Sequence, residues 1–178
     1  DRGVQRDTLP IPAPLAVGAV QQALVKNQLR CDANILVETA SVRDSHQLAV
    51  LVGLGATAVY PYLAYETVEQ FVGNGSIKLD AKQALVNYRA GLNKGLLKIM
   101  SKMGIATVAS YRCSNLFEVI GLNQDVMDLC FPHLVSRVSG ASFNDIENDQ
   151  KELAKRAFLA RKPINHGGLL KFVHGGEY

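Results

Sequence analysis

The chain has 178 residues and a formal net charge of +3, with 48% apolar and 20% charged residues. That is the balance of an ordinary globular domain with enough apolar material for one core. The charge is too small, without any dense Lys/Arg block, to imply nucleic acid or a membrane surface as a partner, and neither is expected; no apolar run approaches the roughly 20 residues that a membrane crossing needs.

The segment Leu9–Pro14 carries prolines at 10, 12 and 14, which force an extended path. Leu15 to Leu29 then has apolar residues at helical spacing and predicts a helix. Asn34–Thr39 reads as a short buried strand, its continuous apolar centre suited to a parallel sheet covered on both faces. Asp44 or Ser45 is placed to cap a helix reaching Leu54, with Gly55 as its stop. Ala56–Tyr60 predicts a second strand ended by Pro61, and Leu63–Phe71 a helix stopped at Gly73-Asn74-Gly75.

The longest predicted helix runs from Asp80 to Met103, with Leu85, Tyr88, Leu92, Leu96, Ile99 and Met103 as its apolar stripe. Lys94, Lys98 and Lys102 fall on the opposite, solvated face, and Gly91 and Gly95 inside it are read as points of close packing. Ile105–Ala109 is read as a third strand, Ser114 as the cap of a helix over Asn115–Ile120, and Phe143–Ala160 as a last helix. The domain is drawn over 1–164, with a first strand expected upstream of Asp1, and 165–178 as a linker. Both ends are expected to continue into a longer chain.

Strands alternating with helices imply an α/β fold with a parallel sheet and right-handed crossovers. Part of a (β/α) barrel and an open doubly wound sheet both fit. Three strands cannot close the eight-stranded barrel, which favours a partial, barrel-like domain.

Cys31, Cys113 and Cys130 are odd in number, far apart and without a CxxC pair. They read as buried thiols in a reducing, cytoplasmic setting rather than as a disulfide or zinc framework. His46, His133, His166 and His174 show no metal-ligand spacing. Gly53-Leu54-Gly55-Ala56-Thr57 lacks the third glycine of a dinucleotide fingerprint and sits between a helix and a strand, the reverse of the required order. In parallel α/β folds ligands bind at the carboxyl ends of strands. Those ends hold Glu38-Thr39, Tyr60-Pro61-Tyr62 and Ser110-Tyr111-Arg112. Glu38, Tyr60 and Arg112 are therefore the cleft candidates. The plainer alternative, which we favour, is a buried Glu–Arg pair with tyrosines packed beside it.

Several long stretches, in order, resemble one family. They are Leu36-Val37-Glu38-Thr39-Ala40, Leu51-Val52-Gly53-Leu54-Gly55-Ala56 and Tyr60-Pro61-Tyr62-Leu63-Ala64-Tyr65-Glu66-Thr67. Asn93 to Ile105, Ser110-Tyr111-Arg112-Cys113, Phe117 to Leu122 and His174 to Tyr178 continue the series. Together they resemble the central domain of the glutamate synthase large subunit. The wording Arg112-Cys113-Ser114 is closer to the bacterial NADPH-dependent type than to the ferredoxin type.

The resemblance implies a multidomain, cytoplasmic oxidoreductase of glutamate biosynthesis and ammonia assimilation. An amidotransferase domain with an N-terminal cysteine hydrolyses glutamine, and ammonia passes through an internal channel. An FMN-bearing TIM barrel adds it to 2-oxoglutarate, with a 3Fe–4S cluster relaying electrons. NADPH and FAD belong to a small (beta) subunit. The central domain, a reduced copy of the flavin barrel, would position the two active domains and line part of the channel. The motif stretches carry no nucleophilic cysteine, flavin site or cluster ligand set, so no catalytic, cofactor or metal residue is transferred, and the chain alone is expected to be inactive. Two other readings remain open: a small enzyme using a cleft at Glu38, Tyr60 and Arg112, and an inert interaction module.

Overall fold

The computed structural model describes residues 1–159. The linker drawn over 165–178, the boundary at 164, His166 and His174 lie outside them. In chain order the elements are α1 (Ala13–Lys26), β1 (Leu36–Glu38), α2 (Ser45–Gly53), β2 (Ala58–Tyr60), α3 (Tyr62–Gly73) and α4 (Ala81–Lys102). Then come α5 (Val108–Tyr111), β3 (Glu118–Leu122), α6 (Gln124–Cys130), β4 (Val135–Ala141) and α7 (Phe143–Ala157).

The strands form two parallel pairs. β1 and β2 join across α2, with Leu36 opposite Ala58 and Glu38 opposite Tyr60. β3 and β4 join across α6, from Glu118 opposite Val135 to Leu122 opposite Ala141, with register shifts on either side of Ile120. Gly121 and Gly140 meet there backbone to backbone, and a Cβ on Gly140 would strike Gly121. The architecture is mixed α/β, and among the described residues the two pairs stay separate and no barrel closes. None of these helices is long and apolar enough to cross a membrane.

The helices begin and end for identifiable reasons. Asp44 accepts from the Gln47 N–H at 2.8 Å and Asp80 from the Gln83 N–H at 3.0 Å, each satisfying an orphan donor of the first turn. α2 closes with Gly55 N–H on Val52 O and Ala56 N–H on Leu51 O, while Gly55 takes a φ of 127° that a side chain would resist. The same closure ends α1, through Gln28 N–H on Val25 O and Leu29 N–H on Leu24 O. That cap, with Gln28 at φ 60°, stops the helix at Lys26 rather than Leu29.

The third predicted strand is not one. Gly104 and Ile105 cap α4 on Ser101 O and Met100 O, which draws Ile105 against Met100's core cluster, and Thr107 then leads into α5. Nor does Ser114 start a helix. Its hydroxyl donates back to Tyr111 O at 2.5 Å, and Cys113 and Asn115 take left-handed φ values of 59° and 53°. The β-branched Val119 and Ile120 instead run extended as β3. Helix α6 and strand β4 are additions to the sequence reading.

Three core clusters hold these pieces. Leu15, Val126, Met127, Cys130 and Phe131 join α1 to α6. Val17, Val42, Leu51 and Ala56 pack beneath Val37 and Val59 of β1 and β2. Ala49, Val52, Met100 and Tyr111 join α2 to α4 and α5. The sheets are covered on one face only: Val37 and Val59 turn inward, while Leu36 is 75% exposed and Ile120 74% exposed. The expectation of strands covered on both faces is corrected accordingly, because no described helix lies over the outer residues.

Candidate functional site

At the carboxyl end of β1 and β2 the chain gathers a polar and aromatic cluster. Glu38 and Tyr60 are register partners there, both exposed. The Arg2 Nε donates to Glu38 Oε1 at 2.6 Å, and its guanidinium lies 4.4 Å from the centre of the Tyr62 ring. Glu38 raises the Arg2 pKa through that hydrogen bond. Asp1 accepts from the buried Thr39 hydroxyl at 2.8 Å and from the Ala40 N–H at 3.0 Å. Tyr60 stands 5.5 Å from Tyr65, which meets Tyr88 edge-on at 5.7 Å; the Tyr88 hydroxyl donates to Arg43 O at 2.9 Å. Partial burial pushes the Tyr88 phenol up, and Tyr65 and Asp44 add to the shift.

Arg112 is not part of this cluster. It follows α5 and donates to the Thr57 hydroxyl at 3.2 Å. Thr57 precedes β2 and its N–H bonds Ile35 O, so Arg112 sits at the amino end of the strand pair, opposite Glu38. The structure thus brings Glu38 and Tyr60 together and leaves Arg112 apart. Its placement at a strand's carboxyl end depended on reading 105–109 as a strand. A Glu–Arg pair beside tyrosines does form, but it is exposed and its arginine is Arg2.

The amino end has its own network, which the sequence reading missed. Arg30 donates through Nη1 to Ala33 O at 2.8 Å, through Nη2 to Gly55 O at 3.0 Å, and through Nε to the buried Gln21 Oε1. One guanidinium therefore ties α1, the loop into β1 and the α2–β2 turn together. Nearby, the Cys113 N–H donates to Gly53 O at 2.9 Å. Desolvation pushes its thiol up against the pull of Arg30 and Arg112. Little in the local sequence marks Arg30, since Ala33 alone of its three partners is near in sequence and Gln21 and Gly55 lie 9 and 25 residues away.

Chemically, both ends are sets of groups that answer one another. At the carboxyl end the carboxylates of Asp1 and Glu38 already accept from internal donors. Among the described residues no three His, Cys, Asp or Glu gather into a metal-binding group. The cysteines do not fit an iron–sulfur ligand set: Cys130 is core, while Cys31 and Cys113 are exposed on different loops.

Residues 1–123 match the family model described as the glutamate synthase central domain. Ferredoxin-dependent glutamate synthase 1, chloroplastic/mitochondrial, of Arabidopsis thaliana is 43% identical over 94% of this chain and 11% of its own length. The glutamate synthase [NADPH] large chain of Bacillus subtilis is 34% identical over the whole of this chain and 12% of its own length. Glutamate synthase [NADH] of Saccharomyces cerevisiae is 34% identical over the whole of this chain and 9% of its own length. The chain thus spans about one tenth of the curated relatives it matches.

Proposed function

Since the chain belongs to the glutamate synthase central-domain family, we propose that it is the connecting domain of a glutamate synthase large subunit. In this reading the whole enzyme converts glutamine, 2-oxoglutarate and NADPH into two molecules of glutamate in the cytoplasm. An amidotransferase domain and an FMN domain of the same chain flank this one, and a small subunit supplies FAD and the NADPH site. The present residues position those domains and contribute to the wall of the ammonia path. In this reading FMN and the 3Fe–4S cluster belong elsewhere in the enzyme, and Cys31, Cys113 and Cys130 are not cluster ligands.

The observation that carries the reading is that both small sheets are one-sided. Leu36 on the β1–β2 pair, and Ile120, Val135 and Val138 on the β3–β4 pair, are exposed apolar residues on faces where parallel sheets ordinarily carry a second layer. A connecting domain has its second layer supplied by its neighbours. On the same view the two βαβ units are remnants of a barrel, a partial (β/α) array completed by further strands. The domain is drawn over residues 1–164, with 165–178 as the passage toward the FMN domain.

Activity of the purified chain tests this. It should release no ammonia from glutamine, form no glutamate from 2-oxoglutarate, and bind no flavin; stoichiometric flavin on the purified chain would end the proposal. In the whole synthase, Ile120→Asp with Val138→Asp should raise the glutamine hydrolysed per glutamate formed. An unchanged ratio at normal flavin content would remove these residues from the interdomain role.

A further inference from the structure

A groove of about 630 Å³ opens beside the carboxyl end of β2, between α3 and α4. Small-molecule sites run from roughly 300 to 1,000 Å³, and parallel α/β folds bind ligands at this end of their strands. The two walls carry opposite charges. α3 supplies Glu66 and Glu69, one turn apart. α4 supplies Lys82 and Arg89, two turns apart, or about 10 Å along the helix axis. All four are exposed, and the ion pairs among the described residues all involve other side chains. Helix charges do pair in this chain where they come close, as Lys151 with Glu147 and Lys155 with Glu152 on α7. In the groove the two signs are held on separate walls instead. Arg2 is within electrostatic reach of Glu66, but its Nε is already given to Glu38 at 2.6 Å. Between the charged walls lie Tyr60 and Tyr65, with ring centroids 5.5 Å apart, and the apolar Leu85 and Val86.

We propose that this groove binds a free α-amino acid. A simple anion entering it would meet the two carboxylates, and a simple cation the two bases. A small ligand carrying both signs answers both walls at once. Its ammonium group meets Glu66 and Glu69, with the Tyr60 and Tyr65 rings beside it as further partners for a cation. Its carboxylate meets Lys82 and the planar fork of Arg89, which suits two-point recognition of a carboxylate. Its side chain rests on Leu85 and Val86. The site stands apart from the connecting role: either can fail without the other.

Photolabelling of the whole synthase tests it, with an aliphatic L-amino acid that carries a diazirine in its side chain as the probe. The labelled peptide is read by mass spectrometry, so capture at any other amino-acid site of the enzyme is told apart by its position. Label should fall on α3 and the first half of α4, and excess L-leucine should compete it away. N-acetyl-L-leucine, which lacks the ammonium, and L-leucinamide, which lacks the carboxylate, should not compete. Glu66→Gln and Arg89→Gln should each cut the labelling by about 10-fold or more at low probe concentration, the loss expected when one partner of a charged hydrogen bond is removed. Both side chains are exposed, so normal flavin content and glutamate formation should show that the variants are folded. Absence of label on α3 and α4 overturns the proposal, as does labelling that both variants leave unchanged. Competition by N-acetyl-L-leucine equal to that of L-leucine also overturns it, in favour of a patch that takes any carboxylate.

Discussion

Gly95 of α4 lies against Ser45, the first residue of α2, with no space for a Cβ between them. Gly91, one turn earlier, faces open space. The same substitution should therefore have opposite signs at the two sites. Gly91→Ala gains helix propensity and should stabilise by about 1 kcal/mol. Gly95→Ala drives a methyl group into Ser45 and should cost about 1–3 kcal/mol. Adding Ser45→Gly to Gly95→Ala should recover most of that loss. Urea denaturation of the three variants decides it, and two stabilising alanines would show that the helices separate freely.

This pair also marks how far the sequence could be read. Helical spacing and Asp or Gly punctuation located α1 to α4 and α7 within a few residues, because caps and stops are local chemistry. The spacing could not say that only one of two glycines in α4 touches another helix, since Ser45 comes from 50 residues away. Ile105–Ala109 misled for a related reason: a β-branched run after glycine looks like a strand, yet here it completes the cap of α4. Once that strand was misplaced, Arg112 was assigned to the wrong end of the sheet. The Glu38–Tyr60 pairing followed correctly from two short runs, whereas Arg2 carried no signal that it would reach Glu38.

Arg30 is expected to matter more for folding than any of the cleft candidates. Arg30→Met keeps much of the side-chain volume and removes the donors to Gly55 O, Ala33 O and the buried Gln21. Hydrogen bonds from a charged donor to partly buried acceptors contribute about 1.5–3 kcal/mol each when one partner is deleted, and these are not additive. A loss of about 2–3 kcal/mol is expected in chemical denaturation. Arg30→Lys should not rescue it, because an ammonium cannot reproduce a planar fork across three acceptors. Full stability in the lysine variant would refute the network as drawn.

Tyr111 offers the reverse case. It is fully buried against Ala49, Val52 and Met100, and its hydroxyl has no hydrogen-bond partner among the described residues. Burial accordingly raises its pKa. Removing an unsatisfied hydroxyl while keeping the ring relieves a desolvation cost, so Tyr111→Phe should leave stability unchanged or raise it by about 1 kcal/mol. Tyr111→Ala should cost about 3–5 kcal/mol through the cavity it opens. A clear loss in the phenylalanine variant would mean that the hydroxyl bonds a group supplied by solvent or by the rest of the enzyme.

Helix α7 should show a defined acid response. Ser142 and Asp145 form a reciprocal cap: the serine hydroxyl and N–H donate to Asp145 Oδ2 at 2.7 and 2.8 Å, and Asp145 N–H donates back to the hydroxyl. The Ser142 side chain first, and its backbone N–H second, lower the Asp145 pKa below its ordinary 3.8. A carboxyl depressed in the folded state adds stability that is fully present well above pH 3.8 and is lost as pH falls through the folded value. The Asp145 carboxyl carbon, followed by NMR, should therefore titrate below 3.8, with the amide shifts of the first turn of α7 changing in the same pH range. Ser142→Ala removes the larger cause and leaves the backbone donor, so it should move the midpoint back toward 3.8 without abolishing the shift. An Asp145 midpoint that Ser142→Ala leaves unmoved would show that the serine hydroxyl does not hold the carboxylate in solution.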